Sequence, residues 1–514
     1  MAACGRERTK AVRNKRGYAW LLGGVVFAGL GTFFVAGETR ADAPEPPPNL
    51  VLLFADDLGW TDLGCFGSSF YETPHLDRLA ANGMRFTDAY AACQVCSPTR
   101  AALLTGRYPP RTGITDFIGA PPPDHNRYRQ LNFRLLPAPY DRHLPDGSVT
   151  FADAFQAAGY QTFFLGKWHA GDPEQGFGPT DHGFDVNIAG TARGGPYGRG
   201  NYFHPFDLPN LTSEPGDHLT DRLAEEAVQL IRGTRDEPFL MFLSFYDVHT
   251  PLMTKPELRD KYRAKAETVE HDGPRFLPEP PRQNRQVQDH AVYAGMIEVM
   301  DDAVGTLMAA LEELDIADRT IVMFTSDNGG LSTSEGHPTS NLPLRAGKGW
   351  IYEGGIRVPA MVSWPGVTEP GSVSNVLLSS QDFFPTMLEM AGLPLRKNDH
   401  LDGVSLVPVL RQQGDLARDA LFWHYPHYGN QGGSPSSAIR QGDWKLIEFF
   451  EDQRLELYHL AEDLGEQRNL VEQHPDRARA MHERLKAWRE EVGARYPTTN
   501  PDYDAETGRR DRQM

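Results

Sequence analysis

Four short apolar stretches of this 514-residue chain each run directly into residues that can ligate an ion or move a proton. Residues 49–54 lead to Asp56 and Asp57. Residues 160–165 (YQTFFL) lead to Lys167, Trp168 and His169, residues 239–245 to Asp247, Val248 and His249, and residues 320–324 to Ser326, Asp327, Asn328 and Gly329. Asp56, Asp57, Asp327 and Asn328 offer only oxygen, a donor set that suits calcium or magnesium and suits zinc poorly. Each piece alone also reads as an exposed N-cap or a tight turn. It is the pairing of an acidic doublet after one strand with Asp-Asn after a later one that points to a metal.

The elements that must position these groups are strands alternating with helices. Residues 151–158, 219–231 and 293–314 carry helical spacing, and together with the four strands they predict an α/β fold with a mostly parallel sheet covered on both faces. In such sheets ligands bind beyond the C-terminal ends of the strands, where all four polar clusters fall. From about residue 394 the texture changes. Residues 437–450 (SAIRQGDWKLIEFF) and 454–460 read as antiparallel strands and residues 475–492 as a helix, a smaller α+β domain. The Pro- and Arg-rich stretch 113–146 reads as a long loop of no assignable place. The expected organisation is a leader over 1–43, a catalytic α/β domain over 44–393 and a C-terminal domain over 394–514.

Composition sets outer bounds. With 40% hydrophobic residues and 23% charged the chain can bury large cores, and a net charge of −18 argues against a nucleic-acid partner. The N-terminus carries Arg6, Arg8, Lys10, Arg13, Lys15 and Arg16, then an apolar run over 19–36 and the small residues Ala41-Asp42-Ala43. That order predicts a secretory signal peptide and an exported, periplasmic or extracellular protein with no stable membrane partner; an uncleaved membrane anchor is the alternative. Loss of 1–43, with seven basic and three acidic groups, takes the charge to −22.

The four cysteines, Cys4, Cys65, Cys93 and Cys96, are too few for a disulfide scaffold and badly spaced for a four-sulfur zinc site. Cys93 and Cys96 form a C-x-x-C, but the surroundings do not match a thioredoxin-like unit. The run Cys96-Ser97-Pro98-Thr99-Arg100, followed by Leu104-Thr105-Gly106-Arg107, resembles at every position the signature of the sulfatase family, whose cysteine is oxidised after synthesis to formylglycine. The resemblance continues through Asp56-Asp57, Gly166-Lys167-Trp168-His169, His249-Thr250-Pro251, Ser326-Asp327-Asn328-Gly329 and the run from Lys348 to Pro359. Trp444-Lys445-Leu446 with Glu456-Leu457-Tyr458 looks like the family's C-terminal domain.

What the resemblance implies is an alkaline-phosphatase-like fold and hydrolysis of sulfate monoesters, with a sulfated saccharide or aryl sulfate as substrate. Cys96, converted to formylglycine (3-oxoalanine) by a formylglycine-generating enzyme, becomes a geminal diol. One hydroxyl attacks sulfur, and the other, on losing its proton, expels sulfate. Asp56, Asp57, Asp327 and Asn328, with the oxygen of modified Cys96, hold Ca2+ or Mg2+. Arg100 steadies the hydrate, Lys167 and Lys348 meet sulfate and leaving-group oxygens, His169 acts as base on the hydrate, and His249 is a sulfate ligand or general acid. A phosphonate or phosphate ester hydrolase on the same fold, and a non-catalytic binder of sulfated glycans, are the competing readings. The cluster around His424 and His427 reads either as a sugar-contacting group or as junction packing, and a Cys65–Cys93 disulfide is open.

Overall fold

The computed structural model describes residues 46–234 and 237–507, so the leader expected over 1–43 lies outside the described residues. Two sheets organise these residues. The larger is built from β1 (Asn49–Ala55), β2 (Met84–Phe86), β3 (Gln161–Gly166), β4 (Val186–Ile188), β5 (Phe239–Ser244), β6 (Thr320–Ser326), β7 (Ala360–Ser363) and β8 (Ser372–Ser374), in the spatial order β8-β2-β7-β6-β1-β5-β3-β4. β6, β1, β5, β3 and β4 run parallel, and β7 is antiparallel to both β6 and β2.

Every residue of β1 is buried, as a central strand covered on both faces requires. Alternation decides which face each side chain serves. Val51, Leu53 and Ala55 pack with α1 (Pro74–Asn82), α4 (Leu219–Gly233) and α6 (Ala291–Glu313). Leu50, Leu52 and Phe54 pack on the other side with α2 (Cys96–Thr105), α3 (Phe151–Ala157) and α7 (Phe383–Met390). The intervening helix α5 (Pro256–Ala266) lies against α6. This is the three-layered α/β arrangement expected from the alternating elements.

The smaller sheet is fully antiparallel: β9 (Ala420–Tyr425), β10 (Ser436–Gln441), β11 (Trp444–Phe449) and β12 (Leu455–His459), in sequence order. Helix α8 (Pro475–Glu491) covers one face through Met481, Leu485 and Trp488. Residues 437–450 indeed hold two strands, turning at Gly442 and Asp443. β9 and the antiparallel β7 carry no alternation strong enough to be read beforehand. The stretch 113–146 is mostly irregular, with one turn of helix and a two-residue strand, Leu135–Leu136, paired to Thr498–Thr499. Among the described residues no helix is long and apolar enough to cross a membrane.

Candidate active site

Register brings the polar strand ends together. Ala55 of β1 sits opposite Ser326 of β6, and Phe54 of β1 and Gly166 of β3 both sit opposite Ser244 of β5. The residues that follow therefore leave one edge of the sheet side by side. Gly166 makes the exit of β3 possible: at φ 95° a Cβ there would stand 1.8 Å from the Ser244 carbonyl oxygen. Asp57 (φ 62°) and His169 (φ 51°) also hold left-handed backbone, unusual for side-chain-bearing residues and costing of order 1 kcal/mol each.

The carboxylates and cations interlock. Lys167 Nζ lies 2.6 Å from Asp56 Oδ2, and Lys348 Nζ lies 2.7 Å from Asp57 Oδ1. Arg100 donates from Nε to Asp327 Oδ2 (2.9 Å) and from Nη1 to the Lys167 carbonyl and to Ser244 Oγ (2.7 Å each). Its guanidinium thus fixes a carboxylate and a strand end at once. Burial works against the Asp57 carboxylate, but Lys348 and Lys167 outweigh it and hold the group below the usual range. Asp56 goes the other way: burial, with Asp327 beside it, pushes its carboxyl well up. The basic groups do gather here despite the acidic total.

Two buried acceptors in this cluster have no hydrogen-bond partner, Asp56 Oδ1 and Asn328 Oδ1. Asn328 turns its Nδ2 to Asp57 Oδ1 (2.8 Å), so its oxygen is the atom left over. An acceptor stranded in this way costs about 1–3 kcal/mol, and a hard cation is the partner such oxygens suit. Ligand atoms of Asp56, Asp57 and His249 also lie within 4.8 Å of one another. The oxygens expected from sequence fit a divalent ion, and the geometry adds a histidine not counted among them.

Cys96 opens α2, a helix in which every residue is buried. Its Sγ is 3.3 Å from His169 Nδ1, and His169 Nε2 is 2.9 Å from the Ile118 carbonyl. A carbonyl can only accept, so Nε2 carries the proton and Nδ1 presents its lone pair to position 96. Burial, reinforced by Lys167, holds His169 well below the ordinary histidine range and keeps it neutral. His249 follows the same logic: Nδ1 donates to the Thr250 carbonyl (2.8 Å) and Nε2 faces Asp57 Oδ2 at 3.7 Å. Burial raises the Cys96 thiol, with Lys167 and Lys348 opposing. A neutral base thus faces a residue that, as a thiol, stays protonated.

A cavity of about 310 Å³ opens over Cys96, lined by His169, His249 and Lys348 together with residues that sequence reasoning did not select: Phe117, Tyr197, Glu335, Asn430 and Gln431. These sit in irregular segments without periodicity, so no pattern marks them. Ser244 was detectable in principle, as the polar end of an otherwise apolar strand. His424 and His427 do not line this cavity: His424 bonds Ser437 and the Arg495 carbonyl, and His427 bonds Thr115. It is Asn430 and Gln431, farther along the same loop, that reach in. Cys65, Cys93 and Cys96 are free thiols.

A family model described as Sulfatase matches residues 48–393, and one described as N-sulphoglucosamine sulphohydrolase, C-terminal, matches residues 346–491. A sulfatase of Formosa agariphila is 33% identical, with 88% of this chain and 90% of that protein covered. Human arylsulfatase A is 34% identical over 78% of this chain and 74% of its own. The crystal structure of Ps i-CgsB in complex with k-i-k-neocarrahexaose superposes with a TM-score of 0.69 at 29% identity, covering 86% of this chain and 92% of that one.

Proposed function

The chain belongs to the sulfatase family and is a sulfuric ester hydrolase, and we propose that it works through formylglycine at position 96 and a divalent cation held by Asp56, Asp57, Asp327 and Asn328. The observation that carries this reading is the lone pair of His169 Nδ1, 3.3 Å from the Cys96 side chain, beside an oxygen cluster with two unpartnered acceptors. The modified residue supplies a diol nucleophile and the cation, calcium or magnesium, supplies Lewis acidity that lowers a hydroxyl pKa and neutralises charge on the ester.

The chain's own groups do the rest. His169 Nδ1 takes the proton from the hydroxyl that releases sulfate, and the Ile118 carbonyl holds the ring in the tautomer this needs. Lys348, at the cavity wall, and Lys167, behind it, donate to oxygens on which charge builds in the transition state. Arg100 keeps Asp327 in place against the sheet. His249, neutral with its proton on Nδ1, presents Nε2 as a ligand or acceptor, and it serves as general acid only after taking a second proton.

The substrate class we favour is a sulfated saccharide over a small aryl sulfate. The cavity admits a ring with polar substituents, and the related Ps i-CgsB was crystallised in complex with k-i-k-neocarrahexaose. Export with loss of the leader, maturation by a formylglycine-generating enzyme, and division into catalytic (44–393) and C-terminal (394–514) domains belong to the same reading. Mass spectrometry of the peptide containing position 96, after co-expression with the generating enzyme, should show the aldehyde. A sulfate-release screen over sulfated saccharides, with a phosphate ester as control, should show sulfate release alone. Full activity with an unmodified thiol would sink the mechanism.

A further inference from the structure

The residues lining the cavity are of two unlike kinds. Phe117, Ile118 and Tyr197 give it an apolar lining, with Tyr197 43% exposed. Glu335, Asn430 and Gln431 give it a polar lining centred on the Glu335 carboxylate. Glu335 Oε1 accepts from Asn430 Nδ2 at 3.0 Å and from Gln431 Nε2 at 2.7 Å. A carboxylate can only accept, so both amides must turn their nitrogens toward it. Asn430 Oδ1 and Gln431 Oε1 are left buried without a hydrogen-bond partner, although Gln431 as a whole is only 3% exposed.

This loop is built to stay where it is. The Gln431 carbonyl accepts from Trp350 Nε1 (3.0 Å) and Thr333 Oγ1 (3.2 Å), and Glu335 holds left-handed backbone at φ 53°. Glu335 lines the same cavity as Lys348, Cys96 and His169. The Glu335 carboxylate, held by two amides whose own oxygens are closed off from solvent, therefore stands beside the groups that would receive the sulfate ester. Such a wall rewards a ligand bearing hydroxyl or ammonium donors, and it repels a second anion through a medium that screens charge poorly. A pyranose offers both an apolar ring face for Tyr197 or Phe117 and an edge of hydroxyls for the acceptors.

We propose that Glu335, with Asn430 and Gln431, is a specificity determinant that selects rings presenting hydroxyl or ammonium groups beside the scissile sulfate and rejects rings carrying a second sulfate or a carboxylate there. The proposal rests on the reading that the cavity binds the ester over position 96. The test compares matched saccharides that differ by one extra sulfate on the scissile ring, using enzyme with formylglycine confirmed and calcium supplied. Wild type should favour the monosulfated partner at least tenfold in kcat/KM. Glu335→Gln should shrink that ratio at least fivefold and Glu335→Lys further.

Because the readout is a ratio within one preparation, a loss of folded enzyme cancels. A wild-type preference for the disulfated partner, or a ratio that Glu335→Gln moves less than twofold, overturns the proposal. Release of sulfate from no saccharide by fully modified wild type overturns instead the reading of the site on which it stands.

Discussion

Two buried ionic clusters in this protein look alike in composition and differ in how they close. One is the site around Asp56, Asp57 and Asp327. The other lies between the α/β core and the antiparallel sheet, where Lys445 Nζ bridges Glu353 Oε1 (3.0 Å) and Glu466 Oε1 (2.9 Å). There Glu353 Oε2 accepts from Tyr90 (2.7 Å), Glu466 Oε2 accepts from the Glu353 backbone (2.6 Å), and Asp88 takes Arg357 on one oxygen and Arg440 on the other. Each of these carboxylate oxygens has a hydrogen-bond or ion-pair partner, Glu466 Oε1 through the Lys445 ammonium alone. At the sheet edge, Asp56 Oδ1 and Asn328 Oδ1 have none. The Lys445 cluster binds the protein to itself and the one at the sheet edge is unfinished without a ligand, so satisfied and unsatisfied acceptors separate scaffold from site more sharply than charge or burial does.

Substitutions should separate the two in kind. The largest effect belongs to Cys96→Ala, expected to lower sulfate release by at least ~10³-fold while leaving the melting temperature unchanged within a few degrees, since the side chain acts on the reacting atoms. Dialysis against a chelator, or Asp57→Asn, comes next: turnover should fall about a hundredfold or more, and added calcium should restore the dialysed wild type but not the variant. Retained turnover in any of these removes the group from the site.

Glu353→Ala should do the reverse, with an unfolding free energy lower by about 3–5 kcal/mol, as for a broken buried pair, and kcat per folded molecule changed less than tenfold. A loss of turnover without a loss of stability would erase the contrast. The smallest effect is one of pH. Burial, with Glu353 beside it, pushes Glu466 up to about 7. An acid raised in the folded state favours folding below its unfolded value, near 4.5, and that contribution is lost as pH rises through about 7. Between pH 5 and 8 the wild type should therefore lose ~1 kcal/mol or more relative to Glu466→Gln in paired denaturation curves.

Much of the catalytic edge is legible in sequence because strand periodicity fixes where each strand stops. Asp56, Lys167 and Asp327 each follow a buried run, and parallel pairing sends all such ends to one side. The cavity is less legible. Asn430 and Gln431 lie in a loop placed by contacts of the Gln431 carbonyl with Trp350 and Thr333, 81 and 98 residues away in the chain, and Ile118 acts through its carbonyl, which no residue type announces. The histidine-rich segment misleads for a related reason: His424 and His427 are imidazoles spent on hydrogen bonds inside the structure, whereas the amides after them are the groups that reach the site.

The complete burial of α2 also sets an order of events. Position 96 is 3% exposed, at the floor of the cavity, and every residue from Cys96 to Thr105 is buried. An enzyme that must grasp this segment to oxidise its cysteine meets it extended only while the chain is still unfolded. On the maturation proposed above, oxidation at position 96 would have to precede folding, and a molecule that folded first would keep its thiol. The fraction of active protein becomes the outcome of a race, so slowing folding during co-expression should raise that fraction and speeding it should lower it.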